Sequence, residues 1–356
     1  MKERTLDKYL ELAYSYRDKL QIVLVCNVDG LTVDLEDFSE DSITSEYLTL
    51  RQYNKILKSY RDEGFDVISY FDENQFIDDV NSNRISNNID RKLMVMNSAQ
   101  KGTKVGRKSL IPAFCDLHNI YYSNSNAYVV SLCRDKYISG CLLENWGLPV
   151  PKSWLYRPSE GWLLSKRPMF GQKVIVKLNY ETSSIGLDNN SIFIYDDSKD
   201  YVIDLIGKKY NQDVIIQEFV SGYEIETPFI NSNISFVFPP MGIRIGGNDL
   251  MGDKILDYDA RKNHPYDFYR IDKNLPYSAK SIQEYTALIG KALNITGIGR
   301  IDYRVSPNQE IFITDIATNP GYGDYSSTYQ SFKDYGYSYS EMLAVFIGVS
   351  ISKYIH

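Results

Sequence analysis

Lys177 and the small polar residues that follow it are the first place where residue types alone point to chemistry. The stretch Val174 to Leu187 reads VIVKLNYETSSIGL. It opens with an apolar run of the kind a buried strand needs. Lys177 stands at the strand end, and a short polar loop, Asn179 to Ser184, leads to Gly186. Small side chains let backbone N–H groups approach phosphate oxygens, and an ammonium offsets their charge. Taken alone, the same residues fit an ordinary surface turn.

A second constellation lies later. Asp302 sits in GIGRIDYRV and Asp315 in IFITDIATNPG. Both stretches read as strands flanking Ser306-Pro307-Asn308, so the spacing predicts two carboxylates that face one another across a ladder. Paired carboxylates beside a phosphate site are hard-oxygen ligands suited to Mg²⁺. Arg300, two residues before Asp302, shares its strand face. An arginine there suits a transferring phosphoryl group or a tetrahedral oxyanion. A salt-bridged surface hairpin would use the same residues.

These groups need a scaffold. Residues 3–18 predict an amphipathic helix with Leu6, Leu10, Ala13 and Tyr14 on one stripe. Gln21 to Cys26, Phe65 to Phe71 and Leu93 to Met96 predict strands; Ser45 to Arg61 and Glu73 to Val80 predict helices between them. That alternation implies a parallel sheet with crossovers, running to about residue 120. Ala127 to Trp146 predicts one helix, ended by Gly147 and Pro149. Residues 151–226 are strand-rich, and Gln217 to Ile230 reads as strand, turn, strand. A polar, charged loop over Asp257 to Lys273 predicts a mobile lid. Ala279 to Leu293 and Glu341 to Val349 predict helices, with a Gly-Tyr-Ser-rich loop from Pro320 to Ser327.

Composition narrows the classes. The 356 residues allow two or three domains, and the 43% hydrophobic and 24% charged content is ordinary for a globular chain. A net charge of −7 argues against a general nucleic-acid or anionic-membrane binder. No apolar run approaches a membrane span, and the charged N-terminus does not read as a signal peptide, so a cytoplasmic location is expected. Cys26, Cys115, Cys133 and Cys141 lack metal-site spacing and are expected as reduced thiols. His118, His264 and His356 are scattered, with nothing local to favour a histidine metal centre or a serine hydrolase.

As a collinear set the motifs resemble the ATP-grasp carboxylate–amine ligases, and most of all the D-alanine–D-alanine ligases. Carrying the resemblance are Lys136, Lys177 to Gly186, Gln217 to Glu224, Gly299 to Asp302 and Asp315 to Gly321, with SLIPAF from Ser109, YSNS from Tyr122 and LCRDK ending at Lys136. It covers roughly residues 100–330. It implies an α/β, three-domain ATP-grasp architecture: an N-terminal parallel α/β domain (1–121), a central lobe (122–218) and a C-terminal lobe (219–356), with ATP between the lobes. It implies an ATP-dependent ligase that forms a C–N bond through an acylphosphate, with Mg²⁺, a small amino-acid-like substrate and a homodimer as family expectations.

Residue by residue, the resemblance places Lys136 and Lys177 on ATP phosphates and Ser183 and Ser184 in the loop over the γ-phosphate. Gln217 faces adenine, the backbone of Glu218 and Val220 meets the ring edge, and Glu224 takes the ribose hydroxyls. Asp302 and Asp315 bind Mg²⁺, and Arg300 steadies the transferred phosphate. Ser326 meets the second substrate's carboxylate, Glu46 the first substrate's ammonium, and Lys262 closes the lid. There are departures. Ala317 stands where the family has an asparagine metal ligand, with Asn319 as the substitute; Thr182 replaces a glycine; Cys26-Asn-Val-Asp-Gly-Leu replaces a first-domain Gly-Gly signature; Arg261-Lys262 precedes His264 where the family has a lysine–tyrosine pair. These changes point to an altered substrate within a ligase. The reading from another class is a nucleotide-binding or scaffold protein.

Overall fold

The sheets of this protein differ in how their strands are joined, and the sequence between the strands decides it. The computed structural model describes residues 2–33, 36–38, 41–87, 90–263 and 265–355. Helix α1 (Arg4–Ser15) leads to β1 (Leu20–Cys26), α2 (Leu50–Asp62), β2 (Val67–Tyr70), α3 (Glu73–Asn81), β3 (Lys92–Ser98), α4 (Leu110–Leu117) and β4 (Tyr121–Tyr122). The strands pair in parallel in the order β2-β1-β3-β4. Parallel neighbours require a crossover, and a helix supplies each one. α2 starts at Leu50 rather than Ser45, because Thr49 and Gln52 close a capping box. Ser45 and Glu46 fall instead in a separate turn, Ile43–Glu46.

The expected single helix over 127–146 is two: α5 (Ala127–Arg134) and α6 (Lys136–Asn145). Asp135 breaks them with ψ 95°, and its carboxylate accepts the N–H of Ile138 as the cap of α6. Asn179 holds the break: its amide donates to Asp135 and accepts from the N–H of Tyr137. Periodicity continues across the break, so only this long-range clamp reveals it.

The second sheet is antiparallel. β5 (Ser153–Arg157), β6 (Gly161–Trp162), β7 (Lys173–Leu178), β8 (Ile192–Ile194), α7 (Lys199–Tyr210) and β9 (Val214–Glu218) follow, with strand order β6-β5-β9-β7-β8. The third sheet is also antiparallel. It uses β10 (Tyr223–Asn231), β11 (Phe236–Val237), β12 (Met241–Ile245), β13 (Tyr266–Arg270), β14 (Gly297–Val305) and β15 (Ile311–Ala317), in the order β13-β12-β10-β14-β15 with β11 on β10. Helices α8 (Tyr258–Asn263) and α9 (Pro276–Ala292) interrupt it. The segment expected as a lid loop is thus a short helix followed by an edge strand paired to β12.

The chain closes with α10 (Ser327–Asp334) and α11 (Tyr339–Ile351). α10 follows the loop expected over Pro320 to Ser327, in a stretch where the sequence predicts no element; Ser326 caps it. α11 is apolar on all sides, so it must be buried all round. It packs on α1 and α2 and returns the end of the chain to the first sheet, sharing a core with Leu6, Ile22, Ile56 and Met94. The stripe of α1 is buried as expected at Leu6, Leu10 and Ala13. The cysteines are all free thiols.

Gly348 is where α11 meets α1. A Cβ there would lie 1.9 Å from the carbonyl oxygen of Tyr9, and backbone cannot yield as a flexible side chain can. Gly348→Ala is expected to destabilise the protein by about 1–3 kcal/mol, the usual cost of overpacking. Urea unfolding measures this, and an unchanged midpoint would contradict the close packing of the two helices.

Candidate active site

A cavity of 590 Å³ lies where the three sheets meet. Its wall takes Lys177 from β7, Gln217 from β9, Glu224 and Glu226 from β10, Arg300 and Asp302 from β14 and Asp315 from β15, while Glu46, Asn97 and Lys108 come from the first unit. Ser183, Ser184, Glu218, Val220, Asn319, Ser326 and Lys136 line the same space. The fold therefore gathers residues that lie up to 280 positions apart in sequence.

The third sheet sets a row of acids. Strand register pairs Glu226 with Asp302 and Asp302 with Asp315, so three carboxylates stand abreast on neighbouring strands. Arg300 grips this row. Its Nε and Nη2 donate to Asp302 at 2.6 and 2.7 Å, and its Nη1 lies 3.1 Å from Glu226. Glu226 also accepts the hydroxyl of Ser327 at 2.5 Å. Burial raises Asp302 to about 6, with Arg300 opposing the shift and Glu226 adding to it. Burial alone would weaken the Arg300 cation, but Asp302 and Glu226 reverse that and hold it firmly charged.

The second sheet and α6 supply the facing cations. Lys136 is the first residue of α6, and its Nζ is 2.7 Å from Asp315 Oδ1. Lys177 Nζ donates to Gln217 Oε1 at 3.2 Å, and Gln217 Nε2 donates to Ser153. Burial pulls Lys177 down to about 8; Asp315 opposes this and Lys136 reinforces it. Burial also disfavours charge on Asp315, yet Lys136 and Lys177 outweigh it and hold the carboxyl below its usual range. Both lysines share Asp315, which is how two ammoniums tolerate one site.

Arg304 fixes the link from β9 to β10. It donates to Glu224 at 2.7 Å and to the backbone carbonyls of Val220, Gly252 and Lys254. The N–H of Glu218 donates to the carbonyl of Lys152. The phosphate-loop candidate is held from several directions. Ser183 and Ser184 sit at φ 54° and 59°, in the left-handed region. The N–H of Gly186 donates to Asp41, Thr182 bonds Lys108 and Glu46, and the hydroxyl of Ser184 donates to the carbonyl of Leu256.

Some expected side chains are engaged differently. Ser326 caps α10: its hydroxyl accepts the N–H of Tyr329 and donates to the carbonyl of Gly323. Asn319 clamps two loops, accepting from Asn124 and donating to the carbonyl of Asn97. The carboxylate of Glu46 is buried, 3.1 Å from Lys108 and 3.6 Å from Arg107. The group expected to receive an ammonium thus already faces cations. The side chain of Lys262, and His264 entirely, lie outside the described residues. Ala317 stands opposite Arg300 in the ladder. Among the described residues no three His, Cys, Asp or Glu side chains form a metal cage. Asp302 and Asp315 nonetheless fit Mg²⁺, which needs one or two carboxylates when phosphates complete its shell.

Sequence reasoning missed Glu226, Arg304, Lys108 and Arg134. Two of them carried a signal. Glu224 and Glu226 alternate on one strand, as do Arg300, Asp302 and Arg304, so each set shares a face. Arg134 lies in the LCRDK stretch, but neither it nor Lys108 carried a sign of its partners, which are remote.

Comparison with known proteins follows this geometry. Residues 142–348 match the family model described as D-ala D-ala ligase C-terminus. The D-alanine–D-alanine ligase B of Clostridium perfringens is 27% identical over 252 residues, 71% of this chain and 79% of that protein. The D-alanine–D-alanine ligase of Acetivibrio thermocellus is 24% identical over 261 residues, 70% of this chain, and the chain spans 66% of that relative's length. The crystal structure of D-alanine–D-alanine ligase from Bacillus anthracis complexed with ATP superposes with a TM-score of 0.67 at 18% identity, covering 93% of this chain and 97% of that one. The shared fold is the three-sheet ATP-grasp architecture.

Arg304 gives a test of how the cleft wall is held. Arg304→Met removes the partner of Glu224 and three carbonyl contacts together. Unfolding stability is expected to fall by about 3–5 kcal/mol, as when one member of a buried pair is removed. A denaturation curve that overlays the parent's would show that Arg304 does not hold this wall.

Proposed function

The chain belongs to the D-alanine–D-alanine ligase C-terminal family, and on that premise we propose that it uses ATP to join a small carboxylic acid, of amino-acid type, to an amine. It is an ATP-dependent ligase that forms a carbon–nitrogen bond. The observation that carries this reading is the meeting of Lys136 and Lys177 with Asp315, Asp302 and Arg300 on one cavity wall. That wall carries cations for phosphates, carboxylates for a hard cation, and an arginine held rigidly beside both.

The chemistry runs in two steps. An oxygen of the substrate carboxylate attacks the γ-phosphorus of ATP; an O–P bond forms and the bond to the β-phosphate oxygen breaks, releasing ADP. The amine nitrogen then attacks the acylphosphate carbon, loses a proton and expels phosphate. Lys136 and Lys177 neutralise the phosphates, and Arg300 steadies the transferred group and the tetrahedral oxyanion. Glu224, positioned by Arg304, receives the ribose hydroxyls, while Gln217 and the backbone of Glu218 and Val220 face adenine. Asp302 and Asp315 would hold Mg²⁺, which when bound offsets phosphate charge.

The loop at Ser183 and Ser184 covers the γ-phosphate. Its ties to Asp41, Lys108, Glu46 and Leu256 support water exclusion from an acylphosphate. Ser326, at the N-terminus of α10, receives the amine substrate's carboxylate, and Lys262 belongs to the covering segment. Asn319 has its amide engaged elsewhere, so the vacancy left by Ala317 falls to water. Among the described residues no helix is long and apolar enough to cross a membrane. A cytoplasmic homodimer rests on family likeness alone.

Two measurements test the reading. Asp315→Asn is expected to cut amino-acid-dependent phosphate release from ATP by at least about a hundredfold, the scale of losing preorganised charge in a reacting site. Parent-like turnover would refute the role of Asp315. Nucleotide binding without turnover across a panel of amino acids and amines would favour the scaffold alternative.

Lys177 predicts a pH dependence. With its pKa near 8, it is mostly charged at pH 7, and nucleotide phosphates bind that charged form. ATP affinity is therefore expected to fall as pH rises above 8, by at most roughly tenfold per pH unit for one proton. Lys177→Met is expected to lose about 1.5–3 kcal/mol of affinity at pH 7 and to lose the slope as well. Calorimetry from pH 7 to 9.5 checks both; a slope that persists in the variant would assign it to another group.

A further inference from the structure

Beside Thr182, the cavity lining and the turn behind it carry more cations than they have bonded carboxylates. There Arg107, Lys108 and Arg134 surround Glu46 and Glu181. Arg107 donates to both oxygens of Glu181 at 3.1 and 2.6 Å, and Arg134 Nη2 reaches the same carboxylate at 3.3 Å. Lys108 lies 3.1 Å from Glu46 and donates to the Thr182 hydroxyl at 2.8 Å. Around these three cations the carboxylates in direct reach are two, Glu46 and Glu181, while Asp315 of the Arg300 centre also acts on Arg134.

The surplus has a direction. Arg134 lines the cavity, its side chain is only 5% exposed, and its Nε and Nη1 have no hydrogen-bond partner. Buried donors on a cation are costly to leave unmatched. Lys108, 21% exposed, also lines the cavity. Burial, and after it the neighbouring guanidiniums, pull its pKa to about 7 against the effect of Glu46. The arrangement suits an anion arriving from the cavity and opposes an ammonium.

The Arg300 centre is different. There Arg300, Lys136 and Lys177 are matched by Glu226, Asp302 and Asp315. On the ligase reading a carboxylate being phosphorylated lies at that centre, near the γ-phosphate; the Lys108–Arg134 cluster adjoins it, bonded to Glu46, Glu181 and Thr182, with Arg134 also feeling Asp315.

We propose that Lys108 and Arg134 bind a second carboxylate on the acid substrate, so that this ligase activates one end of a dicarboxylic acid rather than a neutral amino acid. The proposal rests on the ligase reading for the fate of the other end, and concerns the same cavity.

Calorimetry with a non-hydrolysable ATP analogue present tests it. The titrants are succinate against succinamate and aspartate against asparagine. The dianionic end is expected to bind at least tenfold more tightly than its amide. Lys108→Met and Arg134→Met are expected to bring acid and amide within about twofold, the loss of one charge-assisted contact, while Lys108→Arg, which keeps the charge, retains the preference. Should one methionine variant fail to fold, the parent's acid-to-amide ratio and the other variant still decide. Equal binding of acid and amide, or binding of neither, overturns the proposal. Phosphate release separates the two readings. Turnover fastest with alanine keeps the ligase and removes the second-carboxylate site. Discrimination in binding without turnover of any acid keeps the site and removes the ligase.

Discussion

Three carboxylates abreast on neighbouring strands, two of them buried, cannot all stay charged unless cations stand between them. Glu226, Asp302 and Asp315 are in that position, and much of the site is the answer to it. Arg300 lies between Glu226 and Asp302, while Lys136 and Lys177 converge on Asp315. Charges of both signs in a low-dielectric wall act strongly on whatever enters, and their geometry is fixed before a ligand arrives. The cost of assembling such a wall is met elsewhere, by the large apolar cores beneath each sheet.

Holding that wall requires elements from every part of the chain. Lys136 owes its place to Asp135, which ends one helix and caps the next under the control of Asn179. Glu224 owes its place to Arg304. The loop around Ser183 is pinned by Asp41, Glu46 and Lys108 from the first unit and by Leu256 from the third sheet. A loop tied on two sides takes this place only when those parts are assembled, so its conformation depends on the packing of the domains. α11 contributes by carrying the end of the chain back onto the first sheet.

If Lys108 and Arg134 take a second carboxylate, as proposed, a shared fold accepts a different ligand through a few side chains. The sheets and the strand register set where Arg300, Lys136, Lys177 and the row of acids lie. The turn at Arg107 and Lys108 and the end of α5 at Arg134 set what lies beyond. Altering those few side chains changes the charge of one subsite and leaves the ladder of β10, β14 and β15 intact.

By itself the sequence determined the strands and most helices, because alternation and helical periodicity follow from burying one face. It determined that Asp302 and Asp315 face one another, because a short hairpin puts both acids at opposed positions. It did not determine the break at Asp135, the helix after Ser326 or the edge strand over 266–270, where remote contacts override local pattern. Nor did it determine what the side chains touch. Glu46 reads as an acid awaiting an ammonium, yet Arg107 and Lys108 reach it from a turn 61 and 62 residues away. Asn319 reads as a spare ligand, yet it clamps Asn124 and Asn97. Residue type and spacing fix what a group can do; only the tertiary structure decides which charges neutralise it, because Coulomb and hydrogen-bond partners are chosen by distance in space and not along the chain.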